Sequence, residues 1–182
     1  MRIVSGKFKG RRITAPKNLP VRPTTDMAKE SLFNIINNEY YFDKLSVLDL
    51  FSGTGNIAIE FASRGAPQIT AVDKHSACIK QINDLNREFE TDITTYRMDV
   101  FKYLDQSAGA FKLIFADPPY DFSQELFESI VKKVFTNSLL LKEGLLVVEH
   151  SKHTDLSHLE YFRYDKRYGG NVFSFFSYDE EE

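Results

Sequence analysis

Cysteine is nearly absent: Cys78 is the single one in 182 residues. Without a partner it can form no internal disulfide, so the fold must be held by its core, and a reducing cytoplasm is the expected location. Cys78 falls within a helical pattern and reads as a small core residue. No Cys/His spacing resembles a zinc site, and no metal is expected. No apolar run approaches the roughly 20 residues that a membrane helix needs. The opening stretch, MRIVSGKFKG, lacks the apolar centre of a secretory signal. Neither a repeat nor a low-complexity segment occurs, apart from the short acidic tail YDEEE. What these absences leave is a globular chain. With 42% hydrophobic and 27% charged residues, it has the composition of one domain with a sizeable core.

One sign of charge is missing from the start. Residues 1–25 carry Arg2, Lys7, Lys9, Arg11, Arg12, Lys17 and Arg22 and no acid, while the rest of the chain holds 16 basic against 26 acidic residues. A basic arm on an acidic body suggests a polyanionic partner met at one end, although a solvated hairpin would look similar.

The arm, RIVSGKFKGRRITAP, alternates around Gly6 and Gly10 as a short twisted hairpin would. Its few apolar residues, Ile3, Val4, Phe8 and Ile13, require it to lean on something else. Next, Thr24, Thr25 and Asp26 offer helix caps, and Leu32, Phe33, Ile35 and Ile36 mark a buried helical face. A regular alternation follows. Strands are expected at 46–51, 68–73, 93–98, 112–117 and 145–150, with helices at 56–63, 76–89, 100–104 and 124–135. Apolar strands alternating with amphipathic helices imply a parallel sheet covered on both faces. Two last strands around Gly169-Gly170 read as an antiparallel hairpin. The expected fold is doubly wound α/β, residues 23–182, with residues 1–22 as a basic appendage.

Ligands of such sheets gather at the carboxyl ends of the strands. Five strands in succession end at or beside an acid: Asp49, Asp73, Asp99, Asp117 and Glu149. Between the first two lies GTGNIA, in which Gly53 permits a tight turn, Gly55 lets a ligand approach the backbone and Ala58 lets the helix press on the sheet. Asp73, twenty positions after Gly53, stands where a nucleoside-binding fold places an acceptor for ribose hydroxyls. Asp49, just before the turn, would repel a pyrophosphate and attract an ammonium or sulfonium. S-adenosylmethionine carries both cations, with a ribose for Asp73 and an adenine amine for Asp99. The acidic crevice therefore favours it over a dinucleotide.

At the next strand end stands LIFADPPYDF. Two prolines fix φ twice and remove two N–H donors, and the residue before them is pushed to an extended conformation. This stiff bracket offers the Asp117 carboxylate, the Pro118 carbonyl and the flat face of Tyr120. The two acceptors can hold an exocyclic amine with its lone pair aimed at a methyl donor, and stabilise the positive charge that develops on nitrogen. Tyr120 can stack on the base, which must leave any helical stack to enter.

FSGTG followed by DPPY, preceded by RIVSGKFKGRRI and RPTTDMAKESLFNII, resembles the RsmD family. The resemblance runs from Arg2 to Tyr168. DPPY alone indicates an amino-methyltransferase of nucleic acid; the preamble is more specific. The resemblance implies a class I, Rossmann-like methyltransferase fold, with a seven-stranded, mostly parallel sheet. It implies S-adenosylmethionine as donor and the N2 amine of one guanine in 16S rRNA as acceptor, in a small ribosomal subunit or assembly intermediate. By it, Gly53 and Gly55 pass the methionine part of the cofactor, Asp73 holds the ribose, and Asp99 lies near the adenine with Val100 or Phe101 beside that ring. Asp49, Phe51, Lys74 and Asp117 belong to the same crevice. Asp117, Pro118, Pro119 and Tyr120 match the target-base slot. Arg22, Thr24, Thr25 and Asp26 match RPTTD at the cofactor entrance, and Lys7, Lys9, Arg11 and Arg12 grip RNA phosphates. One departure is that the family usually continues RPTTD with an Arg-Val-Arg/Lys-Glu run, whereas here Met27-Ala28-Lys29-Glu30 follows. Arg22 and Lys29 are left to stand in for the lost cation.

Other readings share some of these features. A DNA adenine or cytosine amino-methyltransferase also uses DPPY, but generally carries a separate recognition segment. Methyltransferases of release-factor glutamine begin the bracket with Asn, where this chain has Asp117. A nucleoside-binding module without catalysis would need no acceptor pair. Glu149 reads as a strand terminus, His75, His150, His153 and His158 as surface residues, and Phe173, Phe175 and Phe176 as core.

Overall fold

The computed structural model describes residues 1–19 and 24–179. Helix α1 (Asp26–Glu39) and a 3-10 turn (Phe42–Lys44) lead into strand β1 (Ser46–Leu50). Helix and strand then alternate through α2 (Asn56–Ser63), β2 (Gln68–Asp73), α3 (Ser76–Phe89), β3 (Thr94–Arg97), α4 (Val100–Gln106), β4 (Phe111–Ala116) and α5 (Gln124–Thr136). The chain closes with β5 (Leu140–Ser151), β6 (Phe162–Tyr168) and β7 (Asn171–Phe176).

All seven strands join one sheet in the order β3-β2-β1-β4-β5-β7-β6. Strands β1 to β5 are parallel, and β7 is antiparallel to both its neighbours. This is the expected α/β architecture. Strand side chains alternate between faces. Val47, Leu113, Phe115, Leu145 and Val147 pack with α1, α2 and α3, whereas Leu48, Ile114, Ala116, Leu146 and Val148 pack with α4 and α5. Both faces are dry, which is why these strands read as unbroken apolar runs. Strand order reverses between β1 and β4, so the crevice of a doubly wound sheet opens at their carboxyl ends.

Strand β5 begins five residues earlier than the apolar run suggests. Leu141, Lys142 and Glu143 are exposed, and the ladder absorbs them through a register shift opposite Phe111 and Leu113. Polar residues on a bulged strand carry no alternating signal.

The N-terminal segment folds back on itself. Ile3 and Gly10 N–H donate to Arg11 and Ile3 carbonyls at 2.9 and 2.8 Å, and Arg2 forms an antiparallel bridge with Arg12. Ile3, Phe8 and Ile13 are buried in the same cluster as α1, α2 and α3. Each such burial contributes about 1.5–3 kcal/mol. Helix α2 receives the segment: the Glu60 carboxylate accepts the N–H of Val4 and Ser5, and the Ser63 hydroxyl accepts that of Phe8. Gly6 has φ +86°, and a Cβ there would lie 2.0 Å from the Ser63 carbonyl oxygen, so glycine is required.

Lys29 is not an RNA contact. Its side chain is fully buried, pairing with Glu60 at 3.2 Å and donating to Asn56 Oδ1 at 2.7 Å and the Arg2 carbonyl at 3.1 Å. Three donors thus meet three acceptors. The reason is helical spacing: position 29 shares one face of α1 with Leu32, Phe33 and Ile36, all buried. Desolvation lowers the Lys29 pKa even though Glu60 opposes it. Met27 is 75% exposed, so the departure from the family pattern lies at the surface.

Candidate active site

A cavity of about 880 Å³ opens at the carboxyl ends of the strands. All five strand-end acids, Asp49, Asp73, Asp99, Asp117 and Glu149, lie on its wall. Strands running parallel bring their carboxyl ends to one edge, which is how residues a hundred positions apart meet.

The β1–α2 turn forms one side. Phe51 adopts φ 57°, a left-handed backbone that costs a non-glycine residue about 1–3 kcal/mol. The turn is held by Asp73, whose Oδ2 accepts the Gly53 N–H at 3.0 Å and whose Oδ1 accepts the His75 N–H at 2.9 Å. The sequence reading places Asp73 for a ribose; in the structure it shapes the loop beside it. Gly53 lines the cavity, but Gly55 does not. At φ +82°, Gly55 faces α3, where a Cβ would meet Ile82 at 2.9 Å, so its small size serves helix packing. Thr25 likewise stays off the wall and caps α1 by accepting the Ala28 N–H, while Thr24 lies on it.

Asp49 is buried, and its carboxyl is held well above the usual carboxylate range by desolvation and then by the charge of Asp73. Two buried polar atoms on this wall have no hydrogen-bond partner among the described residues: Asp49 Oδ2, an acceptor, and Asn56 Nδ2, a donor. Lys29 fixes the orientation of the Asn56 amide by donating to its oxygen.

On the far side, Asp99 caps α4 by accepting the Lys102 N–H at 3.1 Å, and Val100 and Lys74 line the cavity. Phe101 lies off the wall and stacks on Phe122 at 6.2 Å, and Phe122 meets Phe51 edge-on at 5.6 Å. Phe122 was not foreseen: one phenylalanine after a turn has no period to mark it.

The bracket follows β4. Asp117 is half-buried, Pro118 is buried, and Tyr120, 82% exposed, stands at the rim. All three line the cavity with Pro119. Ser123, not Asp117, caps α5, accepting the Leu126 N–H.

Sequence reasoning set Glu149 among the strand-end acids but read it as a strand terminus. It is buried on the cavity wall, accepting from Thr24 Oγ1 at 3.0 Å and Asn171 Nδ2 at 3.2 Å. His150, read as a surface residue, is buried on β5, with Nε2 2.7 Å from the Ser174 hydroxyl of β7 and its ring edge-on to Phe127 of α5 at 6.2 Å, and burial lowers its pKa. These partners come from β7 and α5, and no local pattern announces them. His153 and His158 are exposed, His75 is partly so, and Phe173, Phe175 and Phe176 are core as expected.

Asp73, His75 and Cys78 each bring a potential metal-ligating atom within 4.8 Å of the others. Burial, then the Asp73 charge, pushes the Cys78 thiol up to about 12. A thiol so reluctant to ionise is a hydrogen-bond donor to Asp73 first, since ligation requires its thiolate.

The basic arm presents Lys7, Lys9, Arg11 and Arg12 at the surface. Arg11 is shared, pairing with Glu88 at 3.3 Å and lying 4.1 Å from the Phe89 ring centre. Arg22 lies outside the described residues. Met1 Sδ accepts from Thr54 on the cavity wall at 3.2 Å, so the arm begins beside the crevice. No helix among the described residues is long and apolar enough to cross a membrane.

A family model described as conserved hypothetical protein 95 matches residues 1–177. The chain is 35% identical over 161 residues to the "Putative rRNA methyltransferase YlbH" of Bacillus subtilis (strain 168), covering 86% of this chain and 85% of that one. It is 31% identical over 150 residues to the "Ribosomal RNA small subunit methyltransferase D" of Buchnera aphidicola subsp. Baizongia pistaciae (strain Bp), covering 82% and 75%. The solved structure of a "Putative methyltransferase yhhF from Escherichia coli" superposes with a TM-score of 0.86 at 24% identity, covering 100% of this chain and 99% of that chain. That likeness concerns the fold, a class I methyltransferase fold.

Proposed function

Because this chain belongs to the RsmD family of small-subunit ribosomal RNA methyltransferases, we propose that its strand-end cavity serves transfer of a methyl group from S-adenosylmethionine to the N2 amine of one guanine in 16S rRNA. The chain is an rRNA methyltransferase. The observation that carries the detailed reading is that the Asp117-Pro118-Pro119-Tyr120 bracket and the other four strand-end acids share one cavity.

The residues present fit the cofactor. At about 880 Å³ the cavity is of the size that small-molecule sites have. The acceptor Asp49 Oδ2 and the donor Asn56 Nδ2 suit the ammonium and carboxylate of its amino-acid end. Asp73 and Asp99 suit the ribose and the adenine amine, with Phe51, Val100 and Lys74 flanking them. When bound, S-adenosylmethionine supplies an electrophilic methyl group on a sulfonium.

The chemistry asked of the protein is positioning. Asp117 and the Pro118 carbonyl each accept one N–H of the guanine amine, turning its lone pair toward the donor. Positive charge then develops on nitrogen beside acceptors that are already oriented, and no strong base is needed because the amine becomes acidic as methylation proceeds. Tyr120 offers a stacking face to the unstacked base. Residues 1–22 grip phosphates through Lys7, Lys9, Arg11, Arg12 and Arg22, and residues 23–182 form the catalytic core. The acidic body favours a substrate that is a ribosomal particle rather than bare RNA, in the cytoplasm.

The test is to offer labelled methyl donor to unmodified small subunits and digest the RNA to nucleosides. N2-methylguanosine is the expected product; N6-methyladenosine would overturn the reading.

A further inference from the structure

We infer that Glu149 reads the N1–H of the target guanine and so determines which base the bracket accepts; this rests on the guanine-amine reading above. Glu149 is buried on the wall of the cavity that holds Asp117, Pro118 and Tyr120. Its carboxylate is held by Thr24, ahead of α1, and by Asn171, which opens β7, so three distant segments converge to fix one charge. The parallel β4–β5 ladder pairs Ala116 with Val148. Asp117, the first residue beyond β4, and Glu149, the next on β5, follow that pair directly, and both line the cavity. Neighbouring strands lie about 4.8 Å apart, a spacing at which two acceptors can serve adjacent N–H groups on one ring edge.

A carboxylate accepts at about four positions and donates at none. That matters for base choice. Guanine carries the N1–H donor beside its N2 amine. Adenine and cytosine carry, beside their amines, a ring nitrogen with a lone pair. An acceptor-only group next to the amine slot bonds the first and repels the other two. Hydrogen bonds built into a site discriminate strongly because the wrong partner leaves a buried polar group unpaired. Asp117 and Pro118 would accept any exocyclic amine, and Glu149 selects guanine among them.

The experiment uses the full chain and small-subunit RNA in which the modified guanine is replaced by 2-aminopurine. That base keeps the N2 amine but offers a lone pair at N1. The wild-type protein is expected to methylate the guanine RNA far faster than the 2-aminopurine RNA. Glu149→Gln, whose amide can donate to N1, is expected to narrow that ratio by at least about tenfold. Each ratio compares two RNAs on one preparation, so a loss of folded protein does not change it. Production of N2-methylguanosine by wild type, with a ratio unaltered in Glu149→Gln, would overturn the role of Glu149 alone. Production of N6-methyladenosine by wild type would overturn the guanine reading and this inference with it.

Discussion

Two carboxylates buried side by side resist carrying two charges. Asp49, desolvated and close to Asp73, has its pKa raised. A group raised in the fold contributes stability that is fully present below the ordinary carboxylate value of about 3.9, and lost as pH rises through the folded pKa. At neutral pH the ligand-free protein is therefore destabilised by Asp49. Asp49→Asn is expected to raise its melting temperature by about 2–4 °C for each kcal/mol relieved, and the advantage should vanish as pH falls. The same variant should bind S-adenosylmethionine at least about tenfold more weakly, the loss of one charge-assisted contact. Thermal melts across pH and titration calorimetry check both. Asp117 carries a different expectation. Asp117→Ala should abolish methyl transfer while cofactor binding survives. If both are lost, Asp117 belongs to the cofactor rather than to the target base.

Between elements, the buried ion pair of Lys29 and Glu60 joins the N-terminal segment to α1 and α2. Glu60 collects Val4 and Ser5 N–H groups, Lys29 and Arg64. Removing one partner of a buried pair costs about 3–5 kcal/mol when it strands the other charge; Arg64 and two N–H groups still hold Glu60 here, so about 1–3 kcal/mol is expected. Lys29→Met is expected to lower the denaturant midpoint accordingly. A change within about 0.5 kcal/mol, normal for a surface lysine, would show that α1 does not depend on this pair. Lys29 also orients the Asn56 amide on the cavity wall. The tie that docks the basic arm therefore reaches the crevice.

Across the whole molecule, charge is segregated: the cations of residues 1–25 face an otherwise acidic chain. Lys9 and Arg12 are exposed on the arm, whereas Arg11 is shared with Glu88 and Phe89. Neutralising Lys9 and Arg12 together should weaken RNA binding and flatten the slope of log affinity against log salt by about 1.5, the value for two phosphate contacts. Adding Arg11→Gln should flatten it further, by less than either residue alone. An unchanged slope in binding measured over a salt series would place the phosphate grip elsewhere.

Apolar runs and turn residues marked the seven strands and the covering helices, with acids at the ends of five of those runs, because both faces of this sheet are dry and its parallel strands end at one edge. FSGTG and DPPY were legible because each acts within a few residues, through a turn or a rigid bracket. Contacts between segments far apart were not legible. Lys29 lies on the buried face by spacing, yet its partner Glu60 comes from another helix. Gly55 has the signature of close ligand approach but packs on α3. Glu149 looked like a strand terminus, and His150 like a surface residue, until β7 came to lie beside β5. A local pattern fixes which way a side chain leaves its element. Which polar group meets it there is decided by packing, because the partner that satisfies a buried charge can come from any segment the fold brings within reach.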